Sequence, residues 1–214
     1  EPLKPDTPIA ALATAGLPTI ALRSPAHPAM RDLLRACGKP LAAPSANASG
    51  TISPTRAAHV LRSLGDRIEL IVDGGPTAVG LESTIVTVDG DRLRILRPGP
   101  ITAEQLVAAS GLAVTADASA KIEAPGQLMH HYAPSKPVRL DATEVRDGEW
   151  LIGFGPIAGD ASLSARGDLN EAAARLFELL HEADVSGASR IAFAPVPDQG
   201  LGIAINDRLR RAAA

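Results

Sequence analysis

The chain is poor in aromatic residues: Phe, Tyr and Trp supply 2% of its 214 positions, with one Tyr and one Trp among them. A core must therefore be assembled from Ala, Val, Leu and Ile. Cysteine is scarcer still. Cys37 is the single one, which excludes an internal disulfide and a multi-cysteine metal site and suits a reducing cytosol. No apolar run reaches the length of a bilayer-crossing helix. The opening "EPLKPDTP" has no signal-peptide character and no initiator Met, so the chain reads as a segment of something longer. A net charge of −3 excludes a polycation and leaves only a local basic patch for nucleic acid. HExxH, CxxC, Walker A, GxGxxG and nucleophile-elbow patterns are all missing.

What is present is a 45% hydrophobic chain, enough for one large domain or two small ones. "PTIAL" (18–22) reads as a short buried strand, and "SPAHPAMRDLLRACGKP" as a helix stopped at Gly38 and Pro40. "PLAA" reads as another strand, running into "APSANASG". There Ser45, Asn47 and Ser49 alternate as they would along one side of an extended chain. Ser53-Pro54 reads as an N-cap with proline at the first helical position, before the helix "TRAAHVLRSLG". "IELIVDGG" and "STIVTVDGDRLRILRPG" read as strands, the latter turning at Asp89-Gly90. Thr102 and Gln105 have capping-box spacing.

From Leu112 to Pro137 no helix or strand period is visible, and this stretch reads as a linker. Beyond it, "PVRL", "WLIGF" and "RIAFAP" read as strands. They alternate with a helix capped by Asp168 and a last helix ending "NDRLRRAAA". This order suggests a small open α/β domain with a largely parallel sheet.

The candidate chemistry lies in polar residues at strand ends: Thr19, Arg23, Ser45, Asn47, Ser53, Ser83 and Arg97. Arg23 and Arg97 each follow an apolar strand beside a proline. Each is a surface arginine or a clamp for carboxylate or phosphate, which the planar guanidinium suits. Ser45 and Asn47 could serve as turn residues, and Ser53 as a helix cap that also presents amide donors to an anion. Glu82, beside Ser83, is a further polar choice of unknown direction. The paired histidines of "HHYAP" invite a metal reading, but adjacent residues face different ways and no partner has motif spacing. Tyr132, in the linker, is not needed for a core and reads either as a stacking platform for a flat ligand or as loop packing.

"TIALRSPAHP", "KPLAAPSANASGTISPT", "VDGGPTAVGLESTIV" and "LRPGPIT", in that order, resemble the second half of the YrdC-like domain of the threonylcarbamoyl-AMP synthases. "APGQLMHHYAPSKPV" and "GLGIAINDRLRRAA" resemble the linker and C-terminal end of that family's two-domain form. The resemblance implies an α/β fold in three parts. Residues 1–111 would be a YrdC-like mixed α/β catalytic domain, incomplete at its N-terminus. Residues 112–136 would be a ligand-covering linker, and 137–214 a small Rossmann-like open α/β domain. The family's Thr-rich, Tyr-Gly-containing stretch and its K-x-R pair have no match in this sequence.

The activity implied is synthesis of L-threonylcarbamoyladenylate from L-threonine, bicarbonate and ATP, with Mg²⁺ and release of pyrophosphate. The product serves threonylcarbamoyladenosine modification of tRNA in the cytoplasm. By resemblance, Arg23, Ala43 and Ser83 hold threonine, while Thr19, Ser45, Asn47, Ser53, Arg97 and Tyr132 line the ATP site. No acid, base or nucleophile is assigned. Implied partners are the small substrates, the proteins that pass the group to tRNA, and tRNA itself; no membrane is implied. Two rivals stand beside this reading: a YrdC-like carbamoyltransferase, and a non-catalytic RNA- or nucleotide-binding module.

Overall fold

The computed structural model describes residues 2–4, 6–115, 124 and 132–214. Helix α1 (Pro28–Cys37) starts on a proline, whose fixed φ suits the first helical turn, and stops where Gly38 takes φ 62°. Helix α2 spans Ala57–Leu64. Strands β1 (Ile85–Asp89) and β2 (Arg92–Arg97) form a hairpin closed by a two-residue loop, with Gly90 at φ 62° in its first position. Helix α3 (Ala103–Ser110) carries the expected capping box: Thr102 accepts from the Gln105 amide while the Gln105 side chain returns to the Thr102 amide. It leads to β3 (Ala113–Thr115), which pairs parallel with β2. The sheet thus runs three residues into the stretch read as structureless.

The rest of the chain builds a four-stranded parallel sheet in the order β4-β7-β5-β6. Its strands are β4 (Val138–Arg139), β5 (Glu149–Gly153), β6 (Ala161–Ser162) and β7 (Arg190–Phe193). Helices α4 (Leu169–Val185) and α5 (Leu201–Ala212) accompany it. Strand β6 has two residues, too short for any alternation to announce it. Helix α4 buries Ala172, Leu176, Phe177 and Leu180, as its apolar stripe requires. Asp168 caps it by accepting from the Asn170 and Glu171 amides at 2.7 and 3.0 Å. The Glu171 carboxylate takes the Ser164 hydroxyl at 2.6 Å, and Ser164 in turn accepts from the Asp168 amide.

The molecule divides into two compact units, Glu1–Ser45 and Ala46–Ala214. In the first, Pro2 bridges Thr19, and no residue of α1 is buried. In the second, one hydrophobic core joins the parallel-sheet domain to the preceding segment. Ile52 and Tyr132 lie in it with Phe177, Leu180, Ile191, Phe193 and Ile205. Gly80, at φ 77°, lies directly against the α4 backbone at Ala173 and Ala174, where a side chain has no room.

Three expected strands are not formed. Among the described residues, "PTIAL" enters an isolated bridge at Thr19, and "PLAA" and "IELIVDGG" belong to no named strand. A strand exists through its ladder, and apolar content alone does not supply a partner. Leu22, Leu70 and Val72 accordingly stand more than 70% exposed. Among the described residues, no helix is long and apolar enough to cross a membrane.

Candidate active site

Four of the nine candidate residues, Thr19, Arg23, Ala43 and Ser45, belong to the first unit, where Arg23 and Ala43 are exposed. The other five, Asn47, Ser53, Ser83, Arg97 and Tyr132, belong to the second.

The stretch from Ala46 is not extended. Ala46 takes φ 58°, a bend follows at Asn47, and Ser49-Gly50 form a turn. This removes the alternation that would have aligned Asn47 with Ser49. The Asn47 amide nitrogen instead donates to the Thr51 carbonyl at 3.0 Å and to the Ile52 carbonyl at 3.2 Å. Its Oδ1 is buried and has no hydrogen-bond partner among the described residues. A buried acceptor in that state is one a bound donor would satisfy.

Ser53 is not a helix cap. Helix α2 begins four residues later, and the Ser53 hydroxyl donates to the Glu82 carboxylate. The helix entrance is held by His59, whose Nδ1 accepts from the Thr55 amide at 3.2 Å. Burial, with His181 and Arg62 nearby, lowers the His59 pKa to about 4 and keeps the ring neutral.

Arg97 ends β2 and is buried. Its Nε and Nη2 both donate to the Ser83 carbonyl, at 3.1 and 2.9 Å. Desolvation lowers its pKa, while the charge of Glu82 and interaction with Tyr132 act in the opposite sense. Gly99 lies against the backbone of Glu82, Ser83 and Thr84 so closely that a Cβ would stand 2.7 Å from the Glu82 carbonyl oxygen. "LESTIV" and "LRPG" are therefore clamped together by one arginine fork and one bare glycine.

Tyr132 departs from the linker reading. Its ring is 1% exposed, 5.5 Å from the Phe177 ring, and the guanidinium of Arg208 lies 5.2 Å from its centroid. It is a core residue, not an open platform, because α4 and α5 cover it. It also holds φ 65°, a left-handed conformation costly for a bulky side chain and concentrated at functional positions. Hydrogen bonding from the Ala133 amide to the Gly50 carbonyl at 3.0 Å ties this residue's neighbour to the Asn47 turn. His130, His131 and most of the linker 112–136 lie outside the described residues.

Two further residues, Glu82 and Arg208, complete the arrangement. Glu82 takes Ser53 on one oxygen and Arg208 Nε on the other at 2.8 Å. Arg208 itself is fully buried. The signal for Arg208 was its position on a helix whose other basic residues, Arg210 and Arg211, fall at the end. Among the described residues, no group of three or more His, Cys, Asp or Glu side chains is placed to hold a metal.

A β-hairpin extended by a parallel strand, followed by a four-stranded parallel sheet with two accompanying helices, defines a mixed α/β protein. A family model described as "Telomere recombination" matches residues 2–99, and one described as "Threonylcarbamoyl-AMP synthase, C-terminal domain" matches residues 101–214. The threonylcarbamoyl-AMP synthase of Bacillus subtilis is 38% identical over 235 residues, covering 99% of this chain and 68% of its own length. Its namesake in Pyrococcus abyssi is 35% identical over 222 residues, covering 94% and 65%. A crystal structure of P. abyssi Sua5 complexed with L-threonine superposes with a TM-score of 0.83 at 32% identity, over 96% of this chain and 67% of that one. The chain belongs to the threonylcarbamoyl-AMP synthase family. It spans about two thirds of the length of these relatives.

Proposed function

We propose that this chain acts in the synthesis of L-threonylcarbamoyladenylate. The observation that carries the reading is the likeness over nearly the whole chain to a solved relative complexed with L-threonine. The threonine amine and bicarbonate give a carbamate and water. A carbamate oxygen then attacks the α-phosphorus of ATP, and pyrophosphate leaves. Such a displacement asks the protein for positioning and charge stabilisation rather than a covalent nucleophile. Neutral hydroxyls, an amide and arginines suit that task.

In this reading Arg23, Ala43 and Ser83 serve threonine. Thr19, Ser45, Asn47, Ser53, Arg97 and Tyr132 serve the nucleotide. The unpartnered Oδ1 of Asn47 supports its part, since a hydroxyl or amine of the substrate would complete it. Tyr132, being buried, contributes through its neighbour Arg97. Mg²⁺ arrives on the ATP phosphates, as is usual for an ion that keeps most of its water. In this reading residues 1–111 belong to the catalytic domain, 112–136 to a linker, and 137–214 to a small C-terminal α/β domain. The product passes in the cytoplasm to proteins that modify tRNA.

The test is pyrophosphate release with MgATP, bicarbonate and L-threonine. Release that needs all three supports the reading. Release indifferent to threonine, or salt-dependent tRNA binding without turnover, would overturn it.

A further inference from the structure

We propose that Arg208, on helix α5, is a positioning residue for this site, fixing Glu82 and the ring of Tyr132 and so making the site's geometry depend on the C-terminal domain. The inference rests on the functional reading above.

Arg208 reaches three stretches that carry candidate residues. Its Nε donates to Glu82 Oε2 at 2.8 Å, and the other carboxylate oxygen receives the Ser53 hydroxyl. Its Nη2 donates to the Pro98 carbonyl at 3.0 Å, one residue beyond Arg97. Its guanidinium lies 5.2 Å from the Tyr132 ring centroid, a cation–π distance. The remaining fork nitrogen, Nη1, is held by Asp207 Oδ2 at 2.5 Å, and Arg211 fixes Asp207 in turn at 3.0 Å.

Joining the domains does not require this arrangement. Ile52 and Tyr132 already share the core with Phe177, and Gly80 packs on α4. A buried arginine is costly unless its whole fork is satisfied, and here the satisfied directions lead to Ser53, Arg97 and Tyr132. Ser83 is the neighbour of Glu82, but its carbonyl is held separately by Arg97. Loss of Arg208 should therefore disturb the nucleotide side of the site more than the threonine side.

The experiment compares Arg208→Met and Arg208→Lys with the parent chain in melting, steady-state turnover and Tyr132 ionisation. Tyr132 is the sole tyrosine, so the phenolate absorbance reports it alone. Arg208→Met is expected to lower kcat/KM for ATP by roughly 10- to 100-fold, as misplacement of site groups does. KM for L-threonine should stay within about twofold. The Tyr132 titration should move upward, because a cation favouring the phenolate has gone. Arg208→Lys, which keeps the charge and loses the fork, should restore the titration but not the turnover.

Turnover and titration both unchanged would overturn the proposal. If Arg208→Met fails to melt cooperatively, Glu82→Gln decides. Reduced turnover in a well-folded Glu82→Gln chain supports the proposal, and parental turnover overturns it. If the parent itself shows no threonine-dependent release, the functional reading fails. The Tyr132 titration then decides alone on Arg208, an upward move supporting the positioning and no move overturning it.

Discussion

The imidazole rings of His59 and His181 stack with centroids 3.8 Å apart and planes 30° apart, joining α2 to α4. His181 Nε2 lies 3.1 Å from the Ser53 carbonyl oxygen, to which it donates, while His59 Nδ1 accepts from the Thr55 amide. Both contacts suit neutral rings, and burial lowers both pKa values. Besides burial, the nearby His181, Arg62 and Arg56 oppose protonation of His59, and Glu178 favours it.

That pair gives the first expectation. His59 titrates at about 4 in the folded chain and 6.5 in the unfolded one. The unfolded state therefore binds the extra proton first as pH falls. The stability supplied by neutral His59 is complete above pH 6.5 and is lost between there and about 4. A loss on the order of 1–2 kcal/mol is expected after allowing for solvent screening. Melting followed from pH 7 downward checks it, and His59→Gln should flatten that dependence.

Glycine contacts give the second. At Gly99 a Cβ would stand 2.7 Å from the Glu82 oxygen and 2.8 Å from the Ser83 carbonyl carbon; at Gly80 it would stand 2.6 Å from the Ala174 Cα. All are backbone atoms that cannot swing aside. Alanine at either position should destabilise by about 1–3 kcal/mol. Gly187 has open space and an ordinary φ, so Gly187→Ala should be neutral in the same denaturant titration.

The two arginines of the site should separate by substrate. Arg23→Ala is expected to weaken L-threonine more than ATP, and Arg97→Ala to do the reverse, each by roughly 10- to 100-fold. Calorimetric titration of each substrate measures the split. Equal losses in both would contradict the division of roles.

The core can be probed at Phe177, fully buried beside Tyr132. Phe177→Ala should cost about 3–5 kcal/mol, read from chemical unfolding. It should also free the Tyr132 ring, so tyrosine fluorescence changes before global unfolding.

The C-terminal domain was largely legible because its signals are local. The stripe on α4, the Asp168 cap and the apolar runs of β5 and β7 each announce themselves within a few residues. "PTIAL" and "IELIVDGG" carry the same composition, yet a strand depends on its partner, which composition does not encode. Of the polar residues expected at strand ends, Arg97 does end a strand, whereas Arg23 and Ser45 follow segments that join no named strand. What joins Ser53 to Glu82 and Glu82 to Arg208 spans 29 and then 126 positions, and no local spacing records it. The burial of Tyr132 is non-local in the same way: it is supplied by helices from far along the chain.

The most direct test of the central claim is mass analysis of the nucleotide formed from MgATP, L-threonine and isotopically labelled bicarbonate. The expected product is an adenylate carrying threonine and one labelled carbon, with pyrophosphate in equal amount. Recovery of unchanged ATP, or of AMP and pyrophosphate without threonine or label in any nucleotide, would contradict it.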